Sequence, residues 1–336
     1  MALKKIWDII IIGGGPTGIN CAIEAGKANL SALILEKGVI TNSLFHFPVN
    51  MTFFSTSRLL EIGQIPFVSH NDKPTRQESL EYYRRLIQHF KLNYHTYEDV
   101  QDIFPNDNPV LNFGYKVKTT KDEYDCKNIV IATGFYDKPV LLNIPGEELA
   151  KVRHYYDDPH RYIHQKVVII GAANSACDAA LEIWQKGGEV TMVIRGNEIS
   201  PRVKYWIKPN IENRIKEGSI AAYFNSEVLE ILPGKMLIKK DKKTISLDND
   251  WVLALTGYQP NIDFLEHLGL TFENQIHCKP SFDETTLETN LKEVYIAGVV
   301  CGGMETSKLF IENTRDHAER IIGNILLKNS PAVLED

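Results

Sequence analysis

The chain runs through the same order of strand, glycine turn, helix and strand twice, and this repetition limits its fold more than any other feature of its 336 residues. Asp8 to Ile12 is a β-branched run of the kind a parallel strand buried on both faces requires. Gly13 to Gly18 interrupt it, Ile19 to Lys27 supply the small and apolar residues of a packed helix, and Ser31 to Leu35 return as a strand ending at Glu36. Lys166 to Ile170, Gly171 to Ala176, Cys177 to Gln185 and Val190 to Ile194 repeat that order and end at Arg195. Gly13 to Glu36 spans 23 positions and Gly171 to Arg195 spans 24.

The two halves also close alike. Asn128 to Gly134 (NIVIATG) follows an alternating stretch from Tyr115 to Cys126, and Asp250 to Gly257 (DWVLALTG) follows another from Lys235 to Leu247. A further strand, Val294 to Gly298 (VYIAG), and an amphipathic helix around Phe310 to Leu327 then complete the first half. The expected architecture is α/β: two Rossmann-type three-layer dinucleotide-binding domains, with residues 152–250 inserted into a domain made of 1–151 and 251–336.

Gly13-Gly14-Gly15-Pro16-Thr17-Gly18 fits G-x-G-x-x-G, whose glycines give a tight turn, close approach to a pyrophosphate and close packing of helix on strand. Glu36 stands where a carboxylate accepts hydrogen bonds from a ribose. The second turn, Gly171-Ala172-Ala173-Asn174-Ser175-Ala176, keeps only the first glycine. Its informative residue is Arg195, a guanidinium at the position of Glu36, because a carboxylate there repels a 2′-phosphate that Arg engages in a bidentate contact. Arg202 and Lys204 either extend that pocket or form a solvated basic loop.

A net charge of −6 gives no basic excess for nucleic acid. No stretch approaches the length of a membrane span. Cys21, Cys126, Cys177, Cys278 and Cys301 include no CxxC and no zinc spacing, so they read as free thiols of a reducing cytoplasm, and no metal is expected.

Several segments together carry a family resemblance: IIIIGGGPTG (9–18), NSLFHFPVNMTFFS (42–55), IPF (65–67), VVIIGAANSACDAALE (167–182), ISPRVKYWIKPNI (199–211), YIAGVVCGG (295–303) and FIEN (310–313). In these the whole chain resembles the two-dinucleotide flavoproteins of the thioredoxin reductase class, and within it the bacillithiol disulfide reductases. The resemblance implies FAD on the outer domain, held by Gly13, Gly15, Pro16, Thr17, Gly18, Glu36 and Lys37, lined by Ser43, His46, Asn50, Thr52 and Phe53, and closed by Thr133, Gly134, Gly298 and Val299. His46 and Phe53 also have plain readings, as a loop histidine and a core aromatic. NADPH is implied on the inserted domain at Gly171, Ala173, Asn174, Ser175, Ala176 and Arg195. A positive helix end near Thr306 or Ser307 is expected to favour reduced, anionic flavin. The partner implied is a small disulfide or a small redox protein, and the assembly a homodimer or homotetramer.

The chain departs from these families at three places, one being Val299, which follows Gly298 where related flavoenzymes carry an aspartate, as the bacillithiol reductase resemblance leads one to expect. The stretch His154 to His160 stands where thioredoxin reductases carry a redox CxxC, and Thr17 where bacillithiol reductases carry a cysteine. Cys301, three residues past Gly298, is the candidate replacement thiol, with plain packing as its alternative reading. Disulfide reduction and ferredoxin- or flavodoxin-NADP reductase activity both remain open at this point, and a nucleotide-sensing flavoprotein is a third reading.

Overall fold

Ile6–Ile12 form the strand β1, in which Ile9, Ile10 and Ile11 are inaccessible to solvent, as a strand covered on both faces must be. The computed structural model describes residues 5–106, 113–274 and 276–329. Pro16 opens helix α1 (Pro16–Lys27), where its missing N–H costs nothing, and the chain returns in β2 (Ala32–Leu35), parallel to β1. A short helix, α2 (Asn42–Phe45), precedes α3 (Arg76–His89). Thr75 and Glu78 begin α3 with a capping box: Thr75 Oγ1 accepts the Glu78 N–H, and the Glu78 carboxylate accepts the Thr75 N–H at 2.7 Å.

The strand β3 (Asn93–His95) lies parallel to β2, while β4 (Val100–Pro105) and β5 (Tyr115–Thr119) form an antiparallel pair. The next strand, β6 (Glu123–Ile131), begins antiparallel to β5 and runs parallel to β1. The alternating stretch Tyr115 to Cys126 is therefore a hairpin whose second arm continues into the parallel sheet.

Pro139–Gly257 form a second compact unit. Its parallel sheet contains β7 (Lys166–Ile170), followed by helix α4 (Asn174–Gln185), then β8 (Glu189–Val193) and β9 (Trp251–Ala254), with β7 between the other two. Ser226–Leu232, Lys235–Lys240 and Lys243–Asp248 make an antiparallel meander whose Met236 and Ile238 share a core with Val168, Ile170 and Val252. The unit starts at Pro139 rather than near residue 152 because Leu142, Ile144 and Leu149 pack against that core.

From Tyr258 the chain rejoins the first unit. A last strand, β10 (Val294–Ile296), pairs parallel with the end of β6, and helix α5 (His317–Asn329) buries Ile321, Ile322 and Ile325 in the core that holds Ile19 and Ile23 of α1. The helix expected from about Phe310 starts only at His317. Side chains take the backbone bonds instead: Phe310 N–H donates to Asn313 Oδ1 at 2.7 Å, Asn313 Nδ2 to the Lys308 carbonyl at 2.9 Å, and Thr314 Oγ1 to the Phe310 carbonyl at 2.9 Å. No helix among the described residues is long and apolar enough to cross a membrane.

Thr75→Ala is expected to lower stability by about 0.5 to 2 kcal/mol, the usual cost of a lost N-cap, and Thr75→Ser to preserve most of it. Urea unfolding of the two variants beside wild type checks this.

Candidate functional site

In the first unit, the carboxyl ends of β1, β2, β3, β6 and β10 lie along one edge of the parallel sheet, the edge where open α/β sheets bind ligands. The turn after β1 is set by close backbone approach. A Cβ on Gly13, where φ is +104°, would stand 2.5 Å from the Ala132 carbonyl oxygen, and one on Gly18 would stand 2.1 Å from that of Gly13. Gly15 differs, since a Cβ there would meet nothing within 4 Å. Two glycines thus pack the helix onto the sheet, and the third keeps an open face at the start of α1, where free N–H groups and the helix dipole favour an anion such as a phosphate.

Glu36 fixes the other end of this cradle. Its side chain is 6% exposed, with Oε2 accepting the Gly14 N–H and Oε1 the Gly38 N–H, each at 2.9 Å. Burial raises its pKa, and the two N–H donors partly offset that. Tyr94, which the sequence reading missed, donates from its hydroxyl to the Gly14 carbonyl at 2.8 Å and accepts the Thr41 N–H at 3.3 Å. Its strand, β3, is only three residues long, too short to show a period. Lys37 pairs with Asp137 at 2.7 Å.

Ser43 lies in α2, whose end is held by Arg76: Nε donates to the carbonyls of Leu44 and Phe45, each at 3.2 Å. His46 is exposed, and its Nδ1 donates to the Asn42 carbonyl at 2.8 Å. Asn50 and Thr52 are exposed, with Thr52 bridged to Thr75. Phe53 is 6% exposed and packs in the core, its ring 6.2 Å from that of Phe47. Phe47, Tyr136 and Tyr258 continue as a row, with centroids 4.9 and 4.4 Å apart, beside the Thr133-Gly134 turn. That row went unread because its members lie far apart in the chain.

Thr17 faces Gly298: a Cβ on Gly298, where φ is +83°, would stand 2.8 Å from the threonine Oγ1. His317 supports the same loop from behind, its Nδ1 accepting the Gly298 N–H at 3.1 Å, so that its proton sits on Nε2. Burial lowers its pKa. Val299 follows Gly298 in the 3-10 turn that leads to Cys301. Cys301 is 2% exposed and its thiol is pushed up to about 12 by burial. A helix end near Thr306 or Ser307 was expected to favour reduced, anionic flavin, but residues 304–316 form turns and no helix starts there. Without that dipole, the surroundings of Cys301 hold a neutral thiol.

In the second unit a Cβ on Gly171 would stand 2.5 Å from the Leu255 carbonyl oxygen, the counterpart of Gly13 against Ala132. Ala173 precedes α4 as its N-cap, and Ala173 and Ser175 are exposed where the helix begins, while Ala176 is buried beneath. Asn174 ties the basic loop to this turn: its Oδ1 accepts the Lys204 N–H at 3.0 Å and its Nδ2 donates to the Arg202 carbonyl at 3.4 Å. Arg195 and Arg202 are exposed and form no ion pair among the described residues. No group of metal-ligating side chains occurs among the described residues.

The open face at Gly15 and the buried Glu36 carboxylate fit FAD, and the Gly171 turn with exposed Arg195 fits NADPH. Gly15→Ala is expected to unfold like wild type in the FAD-free state yet retain less FAD. Gly18→Ala, with its Cβ against backbone, is expected to lose stability itself. Flavin absorbance per protein and thermal melting of the apoproteins separate the two effects.

A family model described as pyridine nucleotide-disulphide oxidoreductase matches residues 10–298. A relative from Bacillus subtilis, bacilliredoxin reductase Bdr, is 39% identical over 317 residues, 94% of this chain and 96% of that protein. The solved structure of bacillithiol disulfide reductase Bdr from Bacillus cereus superposes with a TM-score of 0.92 at 38% identity, covering 96% of this chain and 100% of the other. That of the Staphylococcus aureus enzyme gives 0.92 at 37% identity, covering 98% and 100%. The chain belongs to the pyridine nucleotide-disulphide oxidoreductase family.

Proposed function

We propose that this chain takes electrons from NADPH through FAD and reduces the disulfide of a low-molecular-weight thiol, with bacillithiol disulfide as the substrate and a reducing cytoplasm as its setting. The observation that carries the reading is the repeated glycine turn with opposite charge at its far end, a buried carboxylate at Glu36 in one unit and an exposed guanidinium at Arg195 in the other. The names of the Bacillus cereus and Staphylococcus aureus relatives supply the substrate class. FAD, when bound, accepts a hydride and passes on an electron pair. NADPH, a proton and the disulfide thereby become NADP⁺ and two thiols.

The chain's own residues bind and position. Glu36 holds a ribose, Gly15 and the start of α1 a pyrophosphate, and Arg195 the 2′-phosphate, with Arg202 and Lys204 close to the same turn. Thr17 braces Gly298 and exchanges no disulfide, since a hydroxyl forms none. Cys21, Cys177 and Cys301 are each pushed up to about 12 by burial, and Cys126 is raised as well. The proposed reduction therefore draws on no enzyme thiolate from these four.

NADPH consumption by the FAD-loaded protein is expected with bacillithiol disulfide and to be much slower with ferredoxin or flavodoxin; the reverse ranking refutes the reading. Cys301→Ser is expected to keep disulfide turnover, and its loss with intact flavin reduction would restore that thiol to the reaction. Arg195→Ala should raise the KM for NADPH about ten- to a hundred-fold, the worth of one charge-assisted contact, and leave that for NADH nearly unchanged.

A further inference from the structure

We propose that Tyr205 is the platform on which the adenine ring of the pyridine nucleotide stacks, with Trp206 setting the angle of its ring; this rests on the assignment of the inserted unit to NADPH. Tyr205 is 82% exposed, the most exposed aromatic side chain among the described residues. Its ring meets that of Trp206 edge to face, with centroids 4.8 Å apart at 88°, so one flat face stays open while the neighbour limits rotation. The loop that carries it is anchored on both sides. Before it, Ser200 N–H donates to the Ala172 carbonyl at 3.1 Å and Asn174 holds the backbone of Arg202 and Lys204; after it, Ile207 and Ile211 are buried.

A free aromatic face is thus tied within one residue of Lys204, beside the turn that receives the dinucleotide. Cations next to a π surface match the chemistry of an adenosine bearing phosphates: the base stacks and the phosphates pair with Lys and Arg. Arg195 reads the group that distinguishes NADPH from NADH, whereas Tyr205 reads the base that both contain. The two residues therefore have separable signatures.

The test uses FAD-loaded enzyme with ferricyanide as acceptor, so that the identity of the physiological disulfide does not enter, and compares NADPH, NADH and reduced nicotinamide mononucleotide, which lacks the adenine. Tyr205→Ala is expected to raise the KM for NADPH and NADH by one common factor, about five- to a hundred-fold for one lost base–aromatic stack, with no change for the mononucleotide. Tyr205→Phe, which keeps the ring, is expected to restore both. Unchanged KM values, an equal loss with the mononucleotide, or failure of the phenylalanine to rescue would each overturn the proposal. A wild-type enzyme that oxidises none of the three would instead refute the assignment of NADPH to this unit.

Discussion

The approach of Gly13 to the Ala132 carbonyl is the constraint from which the first unit takes its form. At that separation no side chain fits, so the ends of β1 and β6 are brought together and α1 starts directly over them, with Gly18 packed on Gly13 in turn. The geometry that follows is electrostatic as well as steric. Orphan N–H groups at the start of α1 face the edge of the sheet, and the Glu36 carboxylate, caught between Gly14 and Gly38, stands at the end of the neighbouring strand. Gly171 against Leu255 applies the same constraint a second time, and there the strand ends in a cation. One backbone device is thus written twice, with opposite charge at its far end.

Much of this was legible in the sequence because it depends on local spacing. The strand, glycine turn, helix and strand of each repeat fall within a few residues of their expected places, and Glu36 and Arg195 are located by counting from the first glycine. What escaped depends on contacts distant in sequence. Tyr94 sits on a three-residue strand, the row of Phe47, Tyr136 and Tyr258 is assembled from separate loops, and His317 meets Gly298 across the fold. The late start of α5 is a different failure: its apolar spacing suits a helix, but Asn313 and Thr314 satisfy the backbone locally first. The Thr75-x-x-Glu78 signature of a helix start was present in the sequence but went unread, and α3 with it.

The cysteines show how burial decides chemistry. Cys301 lies in the right loop for a redox role, yet apart from His317 Nδ1 at 3.9 Å from its Sγ it sits among Val300, Leu309 and the core of the sheet, an environment that penalises a thiolate. His317 does not reverse this: its Nδ1 already accepts the Gly298 N–H, and its own protonation is disfavoured by burial. The loop is built to hold a backbone shape, with Thr17 on one side and an uncharged imidazole on the other. The electrostatic assets of the first unit are accordingly fixed N–H groups and Glu36 rather than a reactive sulfur.

The pairing of β10 with β6 has a consequence for how the chain acquires its structure during synthesis. Pro139–Gly257 have their own sheet and core within one continuous stretch, so that unit can fold as soon as it leaves the ribosome. The first unit cannot. Its sheet lacks β10, and its core lacks the apolar face of α5, until synthesis has passed Asn329. In that interval the edge of β6 and the face of α1 carrying Ile19 and Ile23 are uncovered, a state of high contact order and exposed apolar surface. Truncation ahead of β10 therefore removes far more than one helix: it leaves the first unit without the strand and helix that close it.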